Sequence, residues 1–435
     1  MASPIYERLS KLSFTRPSGT AEEKRAAEFL AGEIRAIGFE PALEPFSYTR
    51  SVPTQAYFAA ILENGEEVSF PVTGVINSKE TPPQGITADF FYLKSLDEVS
   101  LSQIRGKMVL IHDRLSPQEY ARLRKAGITG YITTSGTVRD TYENSDLETQ
   151  RFRDSLRDSG AVPAFAIRMI DAVRLLRISP EKVRFTLTLK EETVHSQNVS
   201  VTVLGTQFPN EILAVGAHYD SVPFSYGAWD NGAGAVQILS LLEHFKAHLP
   251  RRTVKVVLFG SEETGLQGSR AYVIAHEREA EKKLAMVNVD VGGSILGKEI
   301  LFVTANDDTE IWLRQVIKEV GYAAVTTQRV MSSDSAGFSD HGIPSISIGQ
   351  GAPRGGGYMH TRYDNMELIS QDVLEKEAWF LSQLVNRLTN AAVFPVLRIL
   401  PAKLRQELIQ YFGESQSAMA KRPAAEEERP LPFHF

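Results

Sequence analysis

The sequence predicts an α/β protein: a mixed, mostly parallel open sheet flanked by helices, interrupted by an inserted, mainly-β unit. Three observations predict it. Short apolar runs, QNVSVTVLG, EILAVGA, TVKVVLF, LAMVNVD, EILFVT and PSISIG, follow one another between about 197 and 349. Amphipathic segments such as AVQILSLLEHFKAH and TEIWLRQVIKEVG lie between them. Strands alternating with helices imply parallel central strands. Before that region, from about 50 to 189, the pattern is one of short strand-like runs bounded by Gly, Pro and Asn.

The elements follow in order. Thr20 and Glu23 form a capping-box pair, and Ala26, Phe29, Leu30, Ile34 and Ile37 recur at helical spacing until Gly38. In the middle segment VSFPVTGVI, ADFFYL, GKMVLIH and YITT read as strands, and SPQEYARLRKAG as a helix ending at Gly127. DVLEKEAWFLSQLVNRLTNA is expected to close the sheet as a helix. The expected organisation is therefore 1–49 and 190–393 as one catalytic domain, 50–189 as an insertion, and 394–435 as an extension and tail. The extension carries one more helix, AKLRQELIQYF, and a charged, Pro-rich end, KRPAAEEERPLPFHF. That end has the composition of an interaction arm, and the extension is where homo-oligomer contacts are expected.

Composition narrows the function. The 435 residues carry 47 basic and 53 acidic side chains, a net charge of -6. No basic stripe marks a nucleic-acid surface. No apolar stretch reaches the ~20 residues of a membrane helix, and the first residues lack a signal-peptide pattern. The chain has no cysteine, which excludes disulfides and thiolate metal sites and fits a reducing compartment. The expectation is a cytoplasmic protein without nucleic-acid or membrane partners.

Chemistry gathers where open α/β sheets bind ligands, outside the C-terminal ends of the strands. EILAVGA runs into His218, Tyr219 and Asp220, and VKVVLF into Ser261, Glu262 and Glu263. AMVNV ends at Asp290, PSISIG leads through a Gly-rich loop to His360, and Asp230 precedes a helix. Each residue alone has a plain structural reading: Asp230 as a helix cap, Glu262 and Glu263 as a solvated pair. Together on one rim they make a ligand set of two imidazoles and three carboxylates, suited to zinc and, under other loading, to cobalt or manganese. Asp230 can bridge two ions, with His218 and Asp290 on one and Glu263 and His360 on the other. Glu262 is then the extra carboxylate, placed to move a proton. Asp220 can accept the second imidazole N–H of His218, and Asp364 that of His360. The remaining histidines and Arg354 read as structural or surface groups.

AHYDSV, WDNGAGA, SEETG, NVDVGG and MHTRYDN resemble the metal-binding segments of the di-zinc aminopeptidase family, the bacterial leucyl aminopeptidase and aminopeptidase Y-like zinc exopeptidases. SSDSAGFSDHGIPSI and RPSGTAEEKRAAEFLAGEIRAIGFE resemble two further stretches of that family, so the likeness covers roughly 1–48 and 190–390. It implies the zinc exopeptidase fold, two zinc ions per chain held by His218, Asp230, Glu263, Asp290 and His360, and hydrolysis of the N-terminal residue of peptides that have a free amine. Ser335 stands where relatives often have His, and Met359 where several have Tyr. IRGKMVLIHDR and KAGITGYITTSG resemble a protease-associated domain, implying an insertion that shapes substrate access. Three alternatives stay open: a carboxypeptidase, a glutaminyl cyclase-like enzyme on the same fold, or a metal-free binding module.

Overall fold

The computed structural model describes residues 2–112, 115–136, 140–352 and 358–422. The expected interaction arm from 423 onwards, His434 and Arg354 lie outside them. Two compact units divide the chain. The first comprises Met1–Ser47, His195–Tyr411 and Ser417–Phe435; the second comprises Tyr48–Val194 and Phe412–Gln416.

In the first unit the sheet order is Val325–Gln328, Lys298–Thr304, Ser345–Gly351, Lys283–Val289, Phe208–His218, Arg252–Phe259 and, at the end, the Val199–Val203 part of a long strand. The four strands in the middle, from Ser345–Gly351 to Arg252–Phe259, are parallel, whereas Lys298–Thr304 and Val199–Val203 run antiparallel to their inner neighbours. The four parallel strands are the ones that lead into the predicted site. Their apolar runs are unbroken because both faces are covered. In Arg252–Phe259, Val254, Val256 and Leu258 enter the main core, while Val257 and Phe259 enter a smaller one on the other face with Tyr272, Phe338 and Ile343. The helices Pro4–Leu12, Ala21–Ile37, Ala233–Ala247 and Gln371–Asn390 contribute to the main core, and Gln267–Ala275 and Asp334–Asp340 to the smaller one.

The helix Ala21–Ile37 begins and ends as its sequence predicts. The Thr20 side chain accepts from the Glu23 N–H, and Gly38 closes the helix at φ 111°, a left-handed conformation that glycine adopts without a Cβ clash. Its apolar stripe, Ala26, Leu30 and Ile34, is fully buried. The Glu23 carboxylate departs from the capping-box expectation. It accepts from Gly19 N, Ser196 Oγ and both the N–H and hydroxyl of Ser261. A long-range role has displaced the local one.

In the second unit Ile86–Tyr92, Met108–Ile111, Gly130–Ser135 and Ala164–Arg168 lie side by side and parallel. Val72–Gly74 joins one edge antiparallel, and Lys182–Phe185 pairs antiparallel with Ile86–Asp89 on the other. The helix Pro117–Ala126 has a complete capping box between Ser116 and Glu119. The strand expected over VSFPVTGVI is split into Glu67–Ser69 and Val72–Gly74. Pro71 lies in the gap, where a residue without an N–H cannot continue a ladder.

Leu30→Ala tests whether the first helix belongs to the main core. The side chain is fully buried, and such truncations cost about 2–5 kcal/mol. A denaturation midpoint corresponding to under about 1 kcal/mol of loss would contradict the packing described.

Candidate metal centre

The candidate ligands converge at the C-terminal ends of the central strands. His218 Nε2 lies 3.2 Å from Asp230 Oδ1 and 3.2 Å from Asp290 Oδ1. His360 Nε2 lies 3.3 Å from Asp230 Oδ2 and 3.0 Å from Glu263 Oε2. The two oxygens of Asp230 thus face opposite ways, one toward each imidazole. Donor atoms of His218, Asp230 and Asp290 all fall within 4.8 Å of one another, as do those of Asp230, Glu263 and His360. A third such group is His218, Glu262 and Glu263. The first two share Asp230, and the last two share Glu263.

Asp230 and Asn231 have non-helical φ/ψ values within the turn Ala228–Gly232, and the peptide between them is cis. Asn231 brackets Asp290: its Nδ2 donates to Val289 O at 2.8 Å, and its Oδ1 accepts from Val291 N at 3.2 Å. The same Oδ1 accepts from Gly234 N at 3.0 Å, at the start of the next helix. One buried amide therefore joins the Asp230 turn to the Asp290 strand end.

Asp220 stands beside the His218 imidazole and holds the turn that carries Glu262 and Glu263. Its Oδ1 lies 3.4 Å from His218 Nδ1 and accepts from Glu262 N at 2.9 Å. Its Oδ2 accepts from Glu263 N at 3.2 Å and from Ser18 Oγ at 2.9 Å. Asp364 accepts from Trp229 N at 2.7 Å, Asp230 N at 3.1 Å and Ser225 Oγ at 3.3 Å, so its carboxylate orients the Asp230 segment. The turn into Glu262 uses positive φ at Ser261 (57°), and His360 also has positive φ (61°). Both are strained positions for residues with a Cβ.

Two positioning residues had no signal in the sequence. Arg16 is fully buried. Its guanidinium donates to the carbonyls of Tyr219, Leu12, Phe14, Tyr226 and Gly227, spanning the segment after His218 and the one before Asp230. Glu23, described above, holds Ser261 next to Glu262. Spacing cannot reveal either, because the rim partners Tyr219 and Ser261 lie 203 and 238 positions away.

The electrostatics favour cations. Burial pushes Glu262 well above the usual carboxylate range, with Glu263, Asp334 and Asp290 adding to the effect against His218. Burial also raises Glu263 to about 7 against the pull of His360, and Asp334 to about 7. For Asp230 burial acts upward too, but the hydrogen bonds and charges of His218 and His360 outweigh it and hold the group low. Burial lowers Arg16 to about 10, opposed by Asp364, Asp220, Asp230 and Glu263. Glu263 Oε1 is buried with no hydrogen-bond donor among the described residues. Two imidazoles and three carboxylates, without sulfur, fit divalent zinc. All of these residues belong to the first unit.

The plain readings of other histidines agree with their contacts. His195 meets Ser47, His276 meets Glu44, and His341 meets the Gly337 carbonyl. Tyr358 and Met359 are part-exposed beside His360.

Comparison with known proteins shows what this chain is similar to. A family model described as Peptidase family M28 matches residues 198–385, the stretch that holds all five candidate ligands. Aminopeptidase YwaD of Bacillus subtilis is 27% identical over 398 residues, covering 86% of this chain and 82% of the relative. Carboxypeptidase Q of Bos taurus is 23% identical over 386 residues, covering 84% and 80%. Among solved structures, BSAP, a zinc aminopeptidase from Bacillus subtilis, superposes with a TM-score of 0.70 at 25% identity, covering 90% of this chain and 97% of that one. The Peptidase M28 precursor from Shewanella amazonensis shares the fold, with a TM-score of 0.69 at 24% identity over 91% and 94% of the two chains. The match to the Peptidase family M28 model thus spans every segment that brings a candidate ligand to the rim.

Proposed function

We propose that the protein is a zinc-dependent aminopeptidase that removes the N-terminal residue from peptides with a free amine. The observation that carries the reading is the divergence of the two Asp230 oxygens, one toward His218 and Asp290 and one toward His360 and Glu263. That arrangement supports two ions sharing one carboxylate, with cobalt or manganese as substitutes. When bound, the pair would polarise a scissile carbonyl and acidify a water between them.

The chain's own residues supply the rest. Glu262 is 9% exposed, and its backbone is held by Asp220. It takes the proton from the attacking water and returns it to the leaving amine. Asp220 lies beside the His218 ring and holds the Glu262 and Glu263 amides, so a single carboxylate aligns base and ligand. A substrate α-amine, positively charged, is drawn to the excess of carboxylates around Asp290 and Glu262. The second unit contributes none of these groups, and we read it as protease-associated in type, with an effect on substrate choice and not on chemistry.

A second reading has one observation in its favour: similarity to Carboxypeptidase Q, whose name points to the other end of a peptide. Charge argues against it, because a substrate carboxylate would enter a site already rich in carboxylates.

Protein reconstituted with zinc and desalted should hold two ions per chain by metal analysis. A content fixed at one would end the bridged arrangement. Glu262→Gln should keep that metal and lose on the order of 10²–10⁴-fold in kcat, while Glu263→Gln should lose an ion. A Glu262→Gln enzyme within a few-fold of wild type would remove Glu262 from the proton-transfer role.

Substrate ends give a separate test. Acetylating the N-terminus of a peptide should abolish most cleavage, whereas amidating its C-terminus should not. The opposite pattern would support the carboxypeptidase reading.

A further inference from the structure

Beyond the Gln371–Asn390 helix the chain continues through 391–422, outside the residues 198–385 that the family model matches. The helix Ala402–Phe412 lies in this extension. Its Leu404 and Leu408 are fully buried. They are four positions apart, so they share one packed face of the helix. The extension holds the stretch from Val330 to Asp340.

Three attachments define the hold. Glu407 Oε2 accepts the Val330 N–H at 3.0 Å. The Ser332 and Tyr411 hydroxyls meet at 2.8 Å. At the far end of the stretch Asp340 is 4% exposed, and its carboxylate takes three donors from consecutive residues of the extension. Oδ1 accepts from Ser417 Oγ at 2.5 Å and from Met419 N at 3.1 Å, and Oδ2 accepts from Ala418 N at 2.6 Å. Ser417 is itself fully buried.

The same stretch touches the strands that carry the candidate site. Ser333 Oγ accepts from Asn288 Nδ2 at 2.7 Å, and Ser335 Oγ accepts from Ser347 Oγ at 2.7 Å. Asn288 and Ser347 are register partners on adjacent parallel strands, and Asn288 stands two positions before Asp290. Met331 reaches Gly349: a Cβ on that glycine would lie 3.3 Å from Met331 Cε and 2.8 Å from the Asp290 carbonyl oxygen. Contacts to the extension at 330 and 332 thus alternate with contacts to the strand ends at 331 and 333. The anchoring residues and the strand ends all lie in the first unit.

The stretch has a physical need for restraint. Asp334 is fully buried within it, and keeping a carboxylate out of water is costly. A segment that carries such a group gains by turning it toward solvent unless its ends are fixed. The attachments lie on either side of Asp334 and oppose that movement.

We propose that the extension is a clasp that positions Asp290, with Asp340 as its anchoring residue. By fixing Val330–Asp340 it fixes the strand ends on which Asp290 stands. The effect on metal rests on the reading of Asp290 as a ligand of the proposed zinc centre. The clasp itself does not. Opening the clasp weakens the ion at His218 and Asp290 more than the ion at Glu263 and His360.

The zinc-loaded full-length protein tests this in three variant forms. Asp340→Leu removes the acceptor. Ser417→Ala with Ala418→Pro removes two of the three donors and leaves the rest of the chain as it is. Ala418 already has φ -69°, the value that proline imposes. The third form combines all three substitutions. Hydrogen exchange reports on the clasp: the amides of 330–340 should exchange faster in every form, at a temperature where the protein stays folded. Zinc titrated against a chelator reports on positioning: one of the two ions should be held ~2–30-fold more weakly, and the other as in wild type. The combined form should match the weaker of its two components, because both break one contact. Leu30→Ala, which loosens another part of the core, should hold both ions as wild type does.

Unchanged exchange across 330–340 would overturn the clasp. Faster exchange with both ions held at wild-type strength would overturn the positioning role. Additive losses in the combined form, or an equal loss in Leu30→Ala, would trace the effect to general stability and overturn it as well. Should Asp340→Leu fail to fold, the extension-side pair of substitutions carries both measurements alone. If Asp290→Asn keeps two zinc ions at wild-type strength, the ligand reading itself fails, and the exchange measurement still decides the clasp.

Discussion

The constraint on which the first unit depends is the burial of negative charge. Asp220, Asp230, Glu262, Asp290, Asp334 and Asp364 are each at most 9% exposed, and Glu263 is similarly hidden. Removing a carboxylate from water is costly unless it is paired, hydrogen-bonded or coordinated. His218, His360 and Arg16 supply positive or partly positive charge at the rim, too little for so many acids. Divalent ions at the proposed centre would resolve the excess, so the donor geometry and the electrostatics support the same proposal.

Carboxylates free of coordination duty are used as braces. Asp220 gathers the amides of Glu262 and Glu263, Asp364 those of Trp229 and Asp230, and Glu23 those of Gly19 and Ser261. Each fixes a loop whose own conformation would be ambiguous. Arg16 performs the complementary task, saturating carbonyls on the loops that flank His218 and Asp230. Charge-assisted hydrogen bonds to backbone are among the stronger ones available to a protein. They let flexible strand-end loops present ligands with fixed geometry.

The sheet makes such bracing possible. Four neighbouring parallel strands deliver their C-terminal ends to one rim, and cores on both faces hold them. Residues separated by more than a hundred positions in the chain become neighbours across strands spaced ~4.8 Å apart. Small ligand shifts are then resisted by the whole packed layer rather than by one loop.

The sequence alone determined much of this. Apolar periodicity marked Phe208–His218, Arg252–Phe259, Lys283–Val289 and Ser345–Gly351 as strands and the segments between them as helices, because period and burial are local properties of the chain. The rim residues His218, Asp230, Glu262, Glu263, Asp290 and His360 were legible because strand ends in an open α/β sheet point to a common edge. What only the tertiary structure decided were the partners. Glu23 looked like the second half of a capping box, yet its carboxylate serves Ser196 and Ser261. Arg16 and Glu377 carried no pattern that singled them out in the sequence, yet both are buried. Asp364 was assigned to His360 by its spacing, and nothing local announced that it accepts the amides of Trp229 and Asp230. The physical reason is common to all four. A local pattern records how often a side chain meets the core, whereas the destination of a charged or polar group depends on which unsatisfied donors and acceptors distant segments bring within about 3 Å once the sheet has closed around them.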